Sequence, residues 1–184
     1  MVRNNNERDL AYLPLLRVTD FCLYRYLYER EKYNQATSLL ESALKVYPNI
    51  DETMYASVCM LRGLIELDTS HVQQALLNFQ TSLQYRRLSA EPDEAFIASS
   101  LNAISLAYTE LGQLDNAVES GNQAMEIRLR TKSDRVGNSY SNMSSTLLRM
   151  GRPDEAEEML FRCSSLHGLK DEELLRSGNP RFAG

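Results

Sequence analysis

The chain has 184 residues, 43% apolar and 24% charged, a balance that folds rather than staying disordered and suits one domain or one short repeat array. Its net charge of −5 leaves little clustered positive charge to displace the counterions of a nucleic acid, so nucleic-acid binding is not expected. Three widely spaced cysteines, Cys22, Cys59 and Cys163, predict small buried thiols in a reducing compartment rather than disulfides.

The start, MVRNNNERD, is polar and has no apolar signal-peptide core, and no stretch nears the ~18 apolar residues that cross a bilayer. The expectation is a cytoplasmic protein that does not enter membranes. Residues 1–16 are expected to form a capping helix. Four similar stretches then follow along the chain: EKYNQATSLL, SHVQQALLNF, GQLDNAVESG and GRPDEAEEML. Each carries an alanine at the same point, namely Ala36, Ala75, Ala117 and Ala156. Self-similarity at a period of about 40 residues marks stacked repeats, and a small residue fixed in each unit implies two helices that approach closely there.

An amphipathic helix is predicted after each turn, recognised by apolar residues at three- and four-residue steps. The first carries Ala36, Leu40, Ala43 and Leu44, and the second Val72, Ala75, Leu76, Phe79 and Leu83. The third carries Leu114, Ala117, Val118, Gly121 and Ala124, and the fourth Ala156, Met159, Leu160 and Cys163. Another helix precedes each turn. The clearest spans about Asp93 to Leu111 with Leu101, Ile104, Ser105 and Tyr108 as its stripe, and Tyr140, Met143, Ser144 and Leu147 repeat it. Gly112 and Gly151 are predicted to end helices in the left-handed conformation, Pro92 and Pro153 to sit in first turns, and Ser133 and Asp134 to be N-caps. The basic cluster Arg128, Arg130, Lys132 and Arg135 reads as a solvated helix end. Units of about 17–55, 56–97, 98–136 and 137–170 result, followed by a short cap and flexible tail at 171–184.

These residues resemble the tetratricopeptide repeat, whose pattern places large residues at positions 4, 7 and 11, small ones at 8, 20 and 27, and a large or aromatic one at 24. The third unit supplies Leu101, Ile104, Ser105, Tyr108, Gly112, Ala117 and Ala124, departing with Gly121 at the aromatic position. The fourth supplies Tyr140, Met143, Ser144, Leu147, Gly151, Ala156, Leu160 and Cys163. The first supplies Leu23, Leu27, Ala36, Leu40, Ala43 and Pro48, but has Asp20 and Tyr24 at its first large and small positions. The second supplies Gly63, Ala75 and Phe79, yet Arg62 and Glu66 stand where apolar residues belong; either its first helix is rotated or its turn carries an offset. The resemblance covers about residues 17–170. It implies an all-α, right-handed solenoid of about four helix pairs with N- and C-terminal capping segments. The long repeats are similar to those of kinesin light chains and of sensor arrays in fungal and bacterial signal-transduction ATPases, although the His-Pro linker common in those is absent and no P-loop accompanies the array.

The resemblance further implies that the first helix of each pair lines a concave groove through positions 2, 5, 6, 9, 12 and 13. Carried over, these are Phe21, Arg25 and Tyr28 in the first unit and Met60, Leu61, Leu64 and Leu67 in the second. The third offers Ser99, Asn102, Ala103, Leu106 and Thr109, and the fourth Asn138, Ser141, Asn142, Ser145 and Arg149. The groove is thus expected to be apolar toward the N-terminus and amide-rich toward the C-terminus. Asn102 and Asn142 can each pair with the N–H and C=O of an extended peptide.

Catalytic signatures are missing from the sequence. His71 and His167 are isolated, and there is no HxxxH, CxxC, GxSxG or phosphate-binding glycine loop. The acidic pairs Asp154-Glu155 and Glu157-Glu158 suit a solvated first helical turn. The expected function is a non-enzymatic adaptor or scaffold, without metal or cofactor, that holds a partner peptide or helix. The alternative is an accessory or sensor-arm protein that recognises a small molecule or self-associates through its solenoid ends.

Overall fold

The structure, a computed structural model, describes residues 32–46 and 52–176, with side chains described at 32–38, 41 and 52–165. The expected capping helix at 1–16, the first helix of the first unit, Cys22 and the tail from 177 lie outside the described residues. Within them the chain forms α1 (Tyr33–Val46), α2 (Glu52–Asp68), α3 (Val72–Leu88), α4 (Glu94–Glu110), α5 (Leu114–Arg130), α6 (Val136–Arg149) and α7 (Pro153–Arg176). No strand occurs among the described residues.

The recurring alanine is the fourth residue of α1, α3, α5 and α7, and at all four positions its side chain is 0–1% exposed. A larger side chain there would hold the two helices of a pair apart. The turns that lead into α3, α5 and α7 each pass through the left-handed region, at Ser70 (φ 66°), Gly112 (φ 73°) and Gly151 (φ 74°). Each such turn closes with the same backbone hydrogen bond, donated by His71 to Glu66 (2.7 Å), by Gln113 to Tyr108 (2.9 Å) and by Arg152 to Leu147 (2.9 Å). These are the six-to-one bonds that satisfy carbonyls left over at a helix C-terminus.

The links between units depart from expectation in detail. Pro153 is the first residue of α7, as its fixed φ favours, whereas Pro92 precedes the N-cap instead of entering the helix. That cap is Asp93, whose carboxylate accepts from the Ala95 and Phe96 amides at 2.8 and 3.3 Å. Neither Ser133 nor Asp134 caps α6: Arg135 holds the N-cap position, and the Ser133 hydroxyl accepts only from the Arg135 amide, at 3.2 Å.

The first helix of the second unit is neither rotated nor offset. Gly63 precedes Ala75 by the same interval as Ser105 precedes Ala117 and Ser144 precedes Ala156. Its buried positions Ala56, Val58, Cys59, Leu61, Gly63 and Ile65 recur one repeat later as Ala98, Ser100, Leu101, Ala103, Ser105 and Ala107, all buried. Arg62 simply points to solvent, and Glu66 is half-buried and accepts a hydrogen bond from Asn78 at 2.6 Å.

Packing within units trades volume between helices. A Cβ on Gly63 would lie 2.5 Å from the Phe79 ring, so this glycine makes room for the one large aromatic in the second unit's core. The third unit reverses the arrangement. Ser105 replaces the glycine, donating its hydroxyl to the Ala117 carbonyl at 2.7 Å, and Gly121 replaces the phenylalanine. The space left by Gly121 is taken by Met143 of the next unit, whose Cε would be 2.7 Å from an added Cβ. Phe79, Ala75, Ala103, Ile104 and Ala107 form one cluster, and Met143, Leu147 and Ala156 another. Core residues therefore come from neighbouring units in sequence, and stacking supplies the burial that a lone helix pair lacks.

Candidate functional site

Successive helices pack along the chain, and the first helices of neighbouring units also touch, α2 against α4 and α4 against α6. The second helices α3, α5 and α7 make fewer contacts with one another. Helices gathered on one side and splayed on the other bend a stack toward the gathered side. The inner face is therefore made by α2, α4 and α6, the helices on which the expected site residues stand.

Along that face polarity changes from unit to unit. On α2, Met60, Leu64 and Leu67 are half-buried and pack against the cluster that contains Ala103, Ile104 and Ala107. On α4, Ser99, Asn102 and Leu106 are half-buried, while Ala103 and Thr109 are buried. On α6, Asn138, Ser141, Ser145 and Arg149 are exposed and Asn142 is half-buried. Arg25, Tyr28 and Phe21 lie outside the described residues. Leu148, beside Arg149, is 55% exposed and adds an apolar group to the amide-rich end.

Several of these side chains tie the inner helices together. Thr109 and Thr146 share a buried hydroxyl–hydroxyl bond of 2.8 Å, and Thr146 lies 3.1 Å from the Asn142 carbonyl. Arg149 pairs with Glu110 at 3.0 Å. That pair is exposed on both sides and worth little by itself, but it crosses from α6 to α4 along the same edge.

The largest departure from the sequence reading is Arg128. It is 4% exposed, not solvated, while Arg130 from the same basic cluster is exposed and paired with Glu94 at 2.8 Å. From α5, the Arg128 Nη1 donates to the Ser139 hydroxyl at 2.8 Å and to the Arg135 carbonyl at 3.2 Å, both at the start of the next helix. It also donates to the Asn102 Oδ1 at 3.3 Å, reaching the inner face. Arg86, one repeat earlier, is 7% exposed and equivalent. It donates to the Phe96 carbonyl, bonds the Ser100 hydroxyl at 3.0 Å, and stacks 4.9 Å from the Phe96 ring centre. Burial, opposed by Asp93, pushes the Arg86 guanidinium down to about 10, which leaves it charged at neutral pH. Burial and the neighbouring Arg135 likewise lower Arg128, with Asp134 opposing. Repetition was the available sign: Arg86 and Arg128 follow the repeated alanine at the same interval, and their serine partners Ser100 and Ser139 hold matching repeat positions.

Among the described residues no group of three His, Cys, Asp or Glu side chains could hold a metal ion, and no helix is long and apolar enough to cross a membrane. On the outer side, the splay of α3 and α5 opens a cleft of about 250 Å³ over α4, floored by Leu101, Ile104 and Tyr108.

A tetratricopeptide repeat family model matches residues 97–166, the third and fourth units. The shared register of turn, alanine and small residue extends the same unit back through α2 and α3. The third and fourth units are tetratricopeptide repeats. Among curated proteins the chain is similar to the Arabidopsis thaliana Protein KINESIN LIGHT CHAIN-RELATED 3, at 24% identity over 76% of this chain but only 22% of that protein. The apo form of RapI has a similar fold, with a TM-score of 0.75 at 17% identity, over 85% of this chain and 57% of that one. So has the Rap conjugation gene regulator of plasmid pLS20, solved in complex with the Phr* peptide, with a TM-score of 0.72 at 18% identity, over 89% and 46%. A Podosopora anserina putative kinesin light chain with TPR-like repeats gives 0.69 at 18% identity, over 85% and 76%. At these identities the structural likeness concerns the fold.

Proposed function

We propose that this tetratricopeptide repeat array is a non-enzymatic adaptor that holds an extended peptide segment of a partner protein along its inner face. The observation that carries the reading is the placement of Asn102 and Asn142 on adjacent inner helices, each half-buried. Amides in that position recognise a peptide main chain, which every sequence offers, while Leu64, Leu106 and Leu148 provide apolar contacts that discriminate side chains. Asn138 and Arg149 flank the C-terminal end of this surface, and Arg25 and Tyr28 are proposed for the N-terminal end. The Rap regulator that shares the fold was solved with a bound peptide, which supports the same class of ligand here.

The test is an array of immobilised peptides, tiled from the proteome of the native cell, probed with wild type and with the Asn102→Asp/Asn142→Asp double variant. The double variant should lose at least about tenfold of the captured signal while keeping its helical circular dichroism. Equal capture by the two proteins would remove the inner face from the account.

A further inference from the structure

We infer that Arg128 is a positioning residue for the groove: it holds the Asn102 amide with Oδ1 turned inward, so that the third unit presents N–H donors and selects a carbonyl or carboxylate oxygen at that point. The inference rests on the inner face being the binding face and adds the polarity of the contact.

Three observations lead to it. A guanidinium has donors and no acceptor, so an asparagine beside it gains only by offering its oxygen; the reversed amide would set donor against donor. Arg128 has no freedom to withdraw, because it is 4% exposed and is also engaged by Ser139 at 2.8 Å and the Arg135 carbonyl at 3.2 Å. Finally, no acceptor among the described residues takes the Asn102 Nδ2, and the side chain is half-buried rather than enclosed. Its two N–H groups therefore remain for a ligand. A charged donor on Oδ1 also polarises the amide and strengthens those N–H groups, as in any hydrogen-bonded chain within a poorly solvated site.

The neighbouring units do not share the device. Met60 holds the place of Asn102 in the second unit, so there Arg86 has no amide to orient and keeps the two equivalent bonds, to the Phe96 carbonyl and the Ser100 hydroxyl, with the Phe96 ring stacked against it. Asn142 on α6 has no side-chain hydrogen bond to a described residue and can rotate to offer either end. One fixed donor beside one adaptable amide would set the register of an extended main chain.

The experiment uses the full chain labelled with ¹⁵N and follows the Asn102 side-chain amide, assigned by its disappearance in Asn102→Asp. Two probes stand in for the acceptor: N-methylacetamide for a peptide carbonyl and acetate for a carboxylate. In the wild type both Asn102 Nδ2 proton signals should move on addition of at least one probe, and the probe that acts names the class of acceptor. Arg128→Met should shift the ligand-free Asn102 signals and reduce the probe response at least about threefold. Ser139→Ala, which removes one anchor of the same arginine and leaves the Arg135 carbonyl as the other, should destabilise the fold but reduce the Asn102 response less than the Arg128 variants do. Arg128→Gln is the second variant should Arg128→Met fail to fold, since its own amide can face Asn102 either way.

A wild-type response left intact by Arg128→Met or Arg128→Gln overturns the positioning role and leaves the groove standing. Equal loss in Ser139→Ala and the Arg128 variants also overturns it, because both would then act through stability alone. Ligand-free signals that respond to Arg128 replacement, without any response to either probe in the wild type, overturn the selection of an acceptor and the groove reading with it.

Discussion

Gly63 and Phe79 settle the geometry of the second unit between them, since the ring occupies the place where any Cβ on residue 63 would stand. Gly63→Ala should therefore cost about 1–3 kcal/mol, the usual penalty for forcing extra volume into a packed core, measured as a lower urea midpoint. Adding Phe79→Leu should recover part of that loss, because the two substitutions share one space and cannot be additive. This pairing was half legible in the sequence, where a small residue and a phenylalanine occupied their repeat positions. The burial of Arg128 was not legible in the same way. Hydrophobic periodicity assigns charged residues to the solvated face, and only the recurrence of arginine at one repeat position, Arg86 and then Arg128, hinted at a shared internal role.

At the scale of the element, the turns into α3, α5 and α7 each use one left-handed residue, and they differ in who bears it. Gly112 and Gly151 adopt that conformation with no side chain to crowd, whereas Ser70 adopts it at φ 66°. Ser70→Gly should raise the melting temperature by an amount equivalent to a few tenths to about 1 kcal/mol, and Gly112→Ala should lower stability by about 1 kcal/mol. No heavy atom lies within 4 Å of a Cβ placed on Gly112, so that loss would come from backbone strain alone. Thermal unfolding of the two variants checks both signs. Helix ends were the least readable part of the chain: glycine marked the C-termini correctly, while Ser133 and Asp134 looked like caps and are not. A cap is defined by where the backbone leaves helical angles, and in α6 that point falls at Arg135.

Across the whole molecule, stability is shared between units rather than owned by them. Arg86 joins α3 to α4 through the Phe96 carbonyl and Ser100, and Ser100 also lies 3.3 Å from the Ser82 hydroxyl in the buried junction between the two helices. Arg86→Ala leaves a cavity and unpaired polar groups at that junction, and should cost about 2–4 kcal/mol. In a nearest-neighbour array such a loss uncouples adjacent units. Urea unfolding should therefore broaden, with hydrogen exchange quickening first in α3 and α4. A single sharp transition of unchanged midpoint would show that the arginine contributes nothing to the coupling.

The sequence by itself determined the period, the helix pairs, the close-contact alanines and the glycine turns, because each depends on residues within one turn or one unit. The positions of the amides on the inner helices were also readable, once the repeat register was known. Only the tertiary structure decided which polar side chains turn inward. The partners of Arg86 and Arg128 lie on other helices, Ser100 and Ser139 on the following one, reached across the link that joins one unit to the next, and Asn102 on the helix before Arg128. Burying a charge is favourable only where several acceptors converge on it, and that convergence exists only after the units have stacked.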